Sequence, residues 1–163
     1  FINKHTEKQL VEFSPEDDFS ISLPSGFKKP ESETKYINSD LGAIPTVIYS
    51  SENKNGACII STSSYPEKLF NSKTEDKILK DAMNGAVNTQ NFQLISKQDL
   101  MRDEFKGLSF IVKTKDKKNP VYIRFEYCIK NPKLYQVAYS TYTLQELNKK
   151  EILDYFRSFE LLK

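Results

Sequence analysis

The 163-residue sequence predicts an α+β domain built as a central antiparallel β-sheet flanked by helices. Three observations carry that prediction. Apolar and polar side chains alternate over short runs such as Phe19-Ser20-Ile21-Ser22-Leu23, the period-2 mark of a half-buried strand. One long segment changes to a helical period instead, where Ile78, Leu79, Ala82, Met83, Ala86 and Val87 form a single apolar stripe. The strand signals on either side are joined by short turns, which serve antiparallel neighbours, whereas parallel strands need a crossover.

The elements follow in order. Residues 1–9, polar from Asn3 to Gln9, read as a flexible N-terminal tail, leaving one domain over 10–163. The strand through Phe19, Ile21 and Leu23 is stopped by Pro24-Ser25-Gly26, and the polar segment 28–33 is expected to cross the surface. Strands are expected at 34–41 and 44–51. Asn53-Lys54-Asn55-Gly56 then supplies the positive φ angles of a tight hairpin, and the chain returns through 57–65, completing a β-meander. Ser72-x-x-Glu75 has the form of a capping box opening the striped helix, which should end near 89–91. Gly85 costs a helix about 1 kcal/mol relative to alanine, so it is expected to mark a close approach to a strand.

Four more strands are expected at 92–104, 107–114, 120–130 and 134–143, with turns at Lys106-Gly107, 115–120 and Asn131-Pro132. Asn148-x-x-Glu151 opens a final helix carrying Ile152, Leu153, Tyr155 and Phe156, and 159–162 closes the domain as a short strand or extended tail. The 11 Phe and 9 Tyr make the expected core aromatic.

Composition removes several function classes. With 24 Lys+Arg against 22 Asp+Glu the formal charge is +2, too weak a field to draw the chain to phosphate backbones, so nucleic acid is not an expected partner. No apolar run reaches the roughly 18 residues that a bilayer-spanning helix needs. The sequence starts at Phe1, the appearance of a chain whose leader has been removed, and export is the expectation drawn from it. Cys58 and Cys128 each sit in a strand-like run. Buried free thiols are the first reading and a disulfide the alternative; a bridge would require Cα atoms within about 7 Å and would support an oxidising compartment.

Catalytic constellations are missing from the pattern. The one histidine, His5, falls in the expected tail, which leaves no base for a Ser-His or Cys-His pair. One histidine and two isolated cysteines give no paired zinc-ligand spacing, and the five glycines form no phosphate-binding loop. Glu16, Asp17 and Asp18 read as solvated turn carboxylates in preference to a calcium site, and Asp76 as a complement to a helix dipole. No enzyme activity, metal or cofactor is expected.

One constellation suggests binding. If residues 131–133 close a hairpin, Tyr127 falls opposite Val137 and Phe125 opposite Tyr139, making odd positions an aromatic core face. The other face then sets Tyr122 across from Tyr142, Arg124 across from Ser140 and Glu126 across from Ala138. Tyr122, Arg124 and Tyr142 would form a patch for an anionic or planar ligand. The competing reading is an Arg124–Glu126 surface pair worth about 0 to 1 kcal/mol, with the tyrosines packed along the strands or beneath the final helix.

The order of strands, long helix, hairpins and final helix is joined by Phe13-Ser14-Pro15-Glu16 at entry, Ser64-Tyr65-Pro66 before the helix, Leu134-Tyr135 in the last hairpin and Ser158-Phe159 near the end. Together these resemble the bacterial branch of the PsbP-like superfamily, over about residues 10–162. The resemblance implies an α/β/α sandwich and a group of exported, often lipid-anchored proteins with no common catalytic machinery, hence no active-site residues to transfer. A photosystem role is not implied. The expected function is a non-catalytic binding or assembly module of a bacterial cell envelope, in the periplasm or at the cell surface. It would have a protein partner and would meet the membrane only through an upstream lipid anchor. A small-molecule carrier or sensor, and a cytosolic secretion adaptor like some DcrB-like relatives, are the alternatives.

Overall fold

The structure is a computed structural model, and it describes residues 10–39, 41–115 and 118–162. The expected tail at 1–9, with His5, lies outside them. The first half of the chain forms strands β1 (Glu12–Phe13), β2 (Phe19–Ser22), β3 (Glu31–Ser39), β4 (Gly42–Asn53) and β5 (Gly56–Ser64), then helices α1 (Glu67–Ser72) and α2 (Glu75–Thr89). The second half adds β6 (Phe92–Arg102), β7 (Phe105–Thr114), β8 (Tyr122–Lys130) and β9 (Lys133–Thr141), followed by α3 (Leu144–Leu147), α4 (Lys150–Arg157) and β10 (Glu160–Leu161).

Seven strands make one antiparallel sheet in the order β3-β4-β5-β9-β8-β7-β6. The reason for that order is the helical crossing between β5 and β6. The first meander runs β3-β4-β5, then α1 and α2 carry the chain over one face to the far edge. A second meander returns from β6 until β9 closes against β5. The sheet's two outer strands are therefore β3 and β6.

The stripe read from the sequence does face the sheet. Ile78, Leu79 and Met83 are buried on Leu108, Phe110, Val112, Phe125, Tyr127 and Ile129, with the Phe110 and Phe125 rings stacked at 4.8 Å and Tyr127 edge-on to Phe110 at 5.1 Å. The opposite face is covered as well. There Phe19, Ile21 and Leu23 join Leu147, Ile152, Tyr155 and Phe156 over Tyr49, Cys58, Ile60, Tyr135, Val137 and Tyr139. With helices on both faces the architecture is the expected antiparallel α+β sandwich.

Several expectations are corrected in detail. The strand at Phe19 does not extend the main sheet; β1, β2 and β10 form a second, three-stranded one, with Ser20 opposite Glu160. The cap of α2 is Thr74, whose hydroxyl accepts the Lys77 N–H at 3.2 Å, while Ser72 ends the unforeseen α1 and bonds the Leu69 carbonyl. The final helix is two pieces. Thr143 caps α3 through the Glu146 N–H, and Asn148 terminates α3 instead of opening α4. β3 already starts at Glu31, inside the segment expected to be a surface crossing.

Glycines were also misplaced. The β6–β7 hairpin turns at Asp103 (φ 53°), not at Lys106-Gly107. Gly107 lies within β7, where a Cβ would collide with the Tyr127 carbonyl of β8; Gly85, expected at a close approach, has open space around it. Both cysteines are free and buried. They sit on β5 and β8 with β9 between them, so the strand spacing alone separates them by about 10 Å, beyond bridging distance.

Candidate functional site

The β8–β9 hairpin fixes which side chains share a surface. Lys130 pairs with Lys133 around a two-residue Asn131-Pro132 turn whose peptide bond is cis, and the turn is one residue shorter than expected. Each partner therefore moves by one position: Tyr122 faces Thr141, Arg124 faces Tyr139 and Glu126 faces Val137. A shift of one residue changes the face. Tyr122, Arg124, Glu126 and Cys128 share theirs with Tyr135, Val137 and Tyr139, beneath α4, while Phe125, Tyr127 and Ile129 lie with Leu134 and Ala138 toward α2. The expected face of odd-numbered aromatic residues on both strands does not exist.

Around Glu126 the sheet assembles a charged cluster in a buried setting. The Glu126 side chain is 4% exposed, and both its oxygens are held by guanidinium groups. Arg102 Nη2 donates to Oε1 at 2.5 Å, and Arg124 donates to Oε2 through Nη2 at 2.7 Å and Nε at 3.2 Å. Such charge-assisted contacts compensate for the loss of water around the carboxylate. Arg102 also donates to the Phe156 carbonyl at 2.6 Å and the Phe159 carbonyl at 3.1 Å, tying the end of α4 and the residues just after it to the cluster. The aromatic rings complete the enclosure, with the Arg124 guanidinium 5.0 Å from the Phe156 centroid and that of Arg102 5.4 Å from Phe159.

The three residues expected to bind a ligand are thus divided. Arg124 belongs to the cluster and Tyr122 lies two residues along the same face, half-buried against the second core. Tyr142, 62% exposed, sits beyond the end of β9. There it lines a cleft of about 290 Å³ with Phe27, Asn55, Thr143, Glu146 and Glu151. Sequence reading found the Arg124–Glu126 pair but placed it at the surface, and it missed Arg102. Arg102 reaches Glu126 only because β6, β7 and β8 are neighbours, a fact without local trace in the sequence.

The remaining candidates serve the fold. Asp18 accepts the Tyr135 hydroxyl at 2.7 Å and pairs with Lys133 at 3.1 Å; among the described residues no group of three His, Cys, Asp or Glu side chains converges to hold a metal. Burial pushes the Cys58 thiol up to about 12 and the Cys128 thiol up to about 11, so neither supplies a thiolate near neutrality. The Tyr155 hydroxyl, raised well above its ordinary range by burial, donates to the Ala138 carbonyl at 3.0 Å. A groove of about 450 Å³ runs between α2 and the β6–β7 hairpin, bordered by Asp76, Lys80, Met83, Lys97 and Asp99.

The architecture is that of a PsbP-like fold: one antiparallel sheet buried on both faces, its helical layers and short terminal strands locked around it. In keeping with that, the solution structure of cyanobacterial PsbP (CyanoP) from Synechocystis sp. PCC 6803 superposes with a TM-score of 0.60, covering 94% of this chain and 93% of that one. At 13% identity the likeness is one of fold. A protein of unknown function from Pseudomonas aeruginosa, PA94, covers 85% of this chain and 86% of its own at a TM-score of 0.44 and 9% identity. No family model matches the sequence. No curated protein matches it either.

Proposed function

We propose that this chain is a non-catalytic binding or assembly module of a bacterial cell envelope, exported to the periplasm or cell surface, where it holds a protein partner. One observation carries the reading: the groups most capable of chemistry are tied into the fold. The Glu126 carboxylate has both oxygens taken by arginines, and burial keeps the two thiols and Tyr155 protonated. What the molecule offers outward is sheet edge, grooves and exposed aromatic side chains such as Tyr36 and Tyr142. The fold shared with cyanobacterial PsbP supports the same reading, in keeping with the superfamily resemblance, which implies no common catalytic machinery.

Within this reading Tyr142 is the outward member of the three candidate residues, and Tyr122 and Arg124 would meet a ligand only at the rim of the cluster. The test is cross-linking in native cells followed by fractionation and mass spectrometry of the captured complex. The expected result is recovery with the envelope, joined to a protein partner that the Tyr142→Ala variant retains less well. Recovery from the cytosol with a secretion component would favour the adaptor alternative. A stoichiometric copurifying small molecule would favour the carrier.

A further inference from the structure

The free edge of β6 carries a pattern that becomes its own complement when reversed. On the side of the sheet that bears α2, this edge presents Lys97, Asp99 and Met101 in succession, with the exposed Ile95 just before them. Lys97 and Asp99 pair inward with Phe110 and Leu108, which fixes their face, and Ile95 is the extra residue of the bulge between Leu94 and Ser96. We propose that two copies of this chain associate through this edge. The β6 strands pair antiparallel about a two-fold axis at Gln98, so that the two seven-stranded sheets become one.

That register sets Ile95 opposite Met101 of the second copy, Lys97 opposite Asp99 and Ser96 opposite Leu100, each contact occurring twice. Water loses two large apolar side chains per copy, Ile95 at 39% and Met101 at 60% exposure, and two cross-copy ion pairs form between them. Neighbouring registers are disfavoured by charge. Sliding the pairing by two residues brings Lys97 against Lys97 in one direction and Asp99 against Asp99 in the other, and sliding by one reverses the faces.

The opposite edge lacks these features. On β3 the corresponding charges, Glu33 and Lys35, already pair with each other at 3.8 Å, and the register that would join them between copies sets Ile37 against Glu31 and Tyr36 against Ser32. Lys97 and Asp99 have no ion pair among the described residues. Sterics also allow the β6 arrangement. α2 touches β6, β7 and β8 and is centred on β7, so the two α2 helices would run about 14 Å apart, three strand spacings, which clears helices of about 10 Å diameter.

Sedimentation velocity of the full chain over a wide concentration range tests the proposal with Lys97→Asp, Asp99→Lys, the double exchange and Glu33→Lys. The wild type should show a reversible monomer–dimer equilibrium. Each single reversal at β6 should weaken it by about tenfold or more, and the double exchange should return it to within about threefold of wild type. Glu33→Lys should leave it unchanged. Amide hydrogen exchange adds a readout free of mutation: outward-facing N–H groups within residues 95–101 should exchange more slowly in concentrated than in dilute solution. A wild type that stays monomeric, single reversals without effect, a double exchange no stronger than the singles, a loss on Glu33→Lys, or exchange independent of concentration would each overturn it.

Discussion

At Glu126 the fold places a carboxylate out of reach of water and answers it with two guanidinium groups, and this decides what the cluster is worth. An exposed Arg–Glu pair contributes about 0 to 1 kcal/mol, whereas breaking a buried one costs about 3 to 5 because an uncompensated charge stays behind. Both arginines keep some contact with solvent, 16% for Arg102 and 22% for Arg124, which places the expected loss for Glu126→Ala near the lower value, about 3 kcal/mol in urea unfolding. Arg102→Ala should cost a similar amount, since it also removes the hydrogen bonds to the Phe156 and Phe159 carbonyls; Arg124→Ala should cost less. A Glu126→Ala loss under about 1 kcal/mol would mean that the pair behaves as a surface contact. The pairing of Arg124 with Glu126 was legible because residues two apart on a strand share a face. The third member was not, because Arg102 comes from a strand two positions away in the sheet.

Two glycines give the element scale its own test. A Cβ at Gly107 would strike the Tyr127 carbonyl across the β7–β8 ladder, while one at Gly85 would meet nothing. Gly107→Ala should therefore destabilise by about 1 to 3 kcal/mol through forced backbone movement, and Gly85→Ala should stabilise by about 0.5 to 1 kcal/mol through helix propensity, both read as shifts in urea midpoint at constant slope. Opposite signs at the two positions are the expected outcome; equal signs would contradict the packing described. Long periodic signals were readable at this scale: the α2 stripe, because 3.6-residue spacing over ten positions has few rival explanations, and the strands of both meanders. Boundaries were not. Ser72 and Thr74 both fit a helix start, and Pro66 nucleates an additional turn of helix that absorbs the first of them. The β8–β9 register depended on whether the turn held two residues or three, which Asn131-Pro132-Lys133 leaves open. The pairing of β2 with β10 has no signature near either strand.

For the whole molecule, burial on both faces of the sheet predicts how stability responds to alkali. Burial raises Cys58 to about 12 and Cys128 to about 11, and it raises Tyr127, Tyr135, Tyr139 and Tyr155 as well. Unfolding releases these groups to ionise at their ordinary values, 9.0 for a thiol and 10.0 for a tyrosine, so above those values the unfolded chain binds fewer protons than the native one. Stability is then fully present below pH 9 and is lost progressively as pH rises toward 12. Thermal denaturation followed by circular dichroism should show a falling Tm across that window, and a flat profile would contradict the burial of these side chains. The small sheet has a consequence of a different kind. β10 follows every other strand in chain order, yet it zips onto β2, and the Leu162 N–H reaches back to the Asp18 carbonyl. The aromatic layer under β2 cannot be sealed until β10 has been made, and a nascent chain keeps that greasy surface open until then.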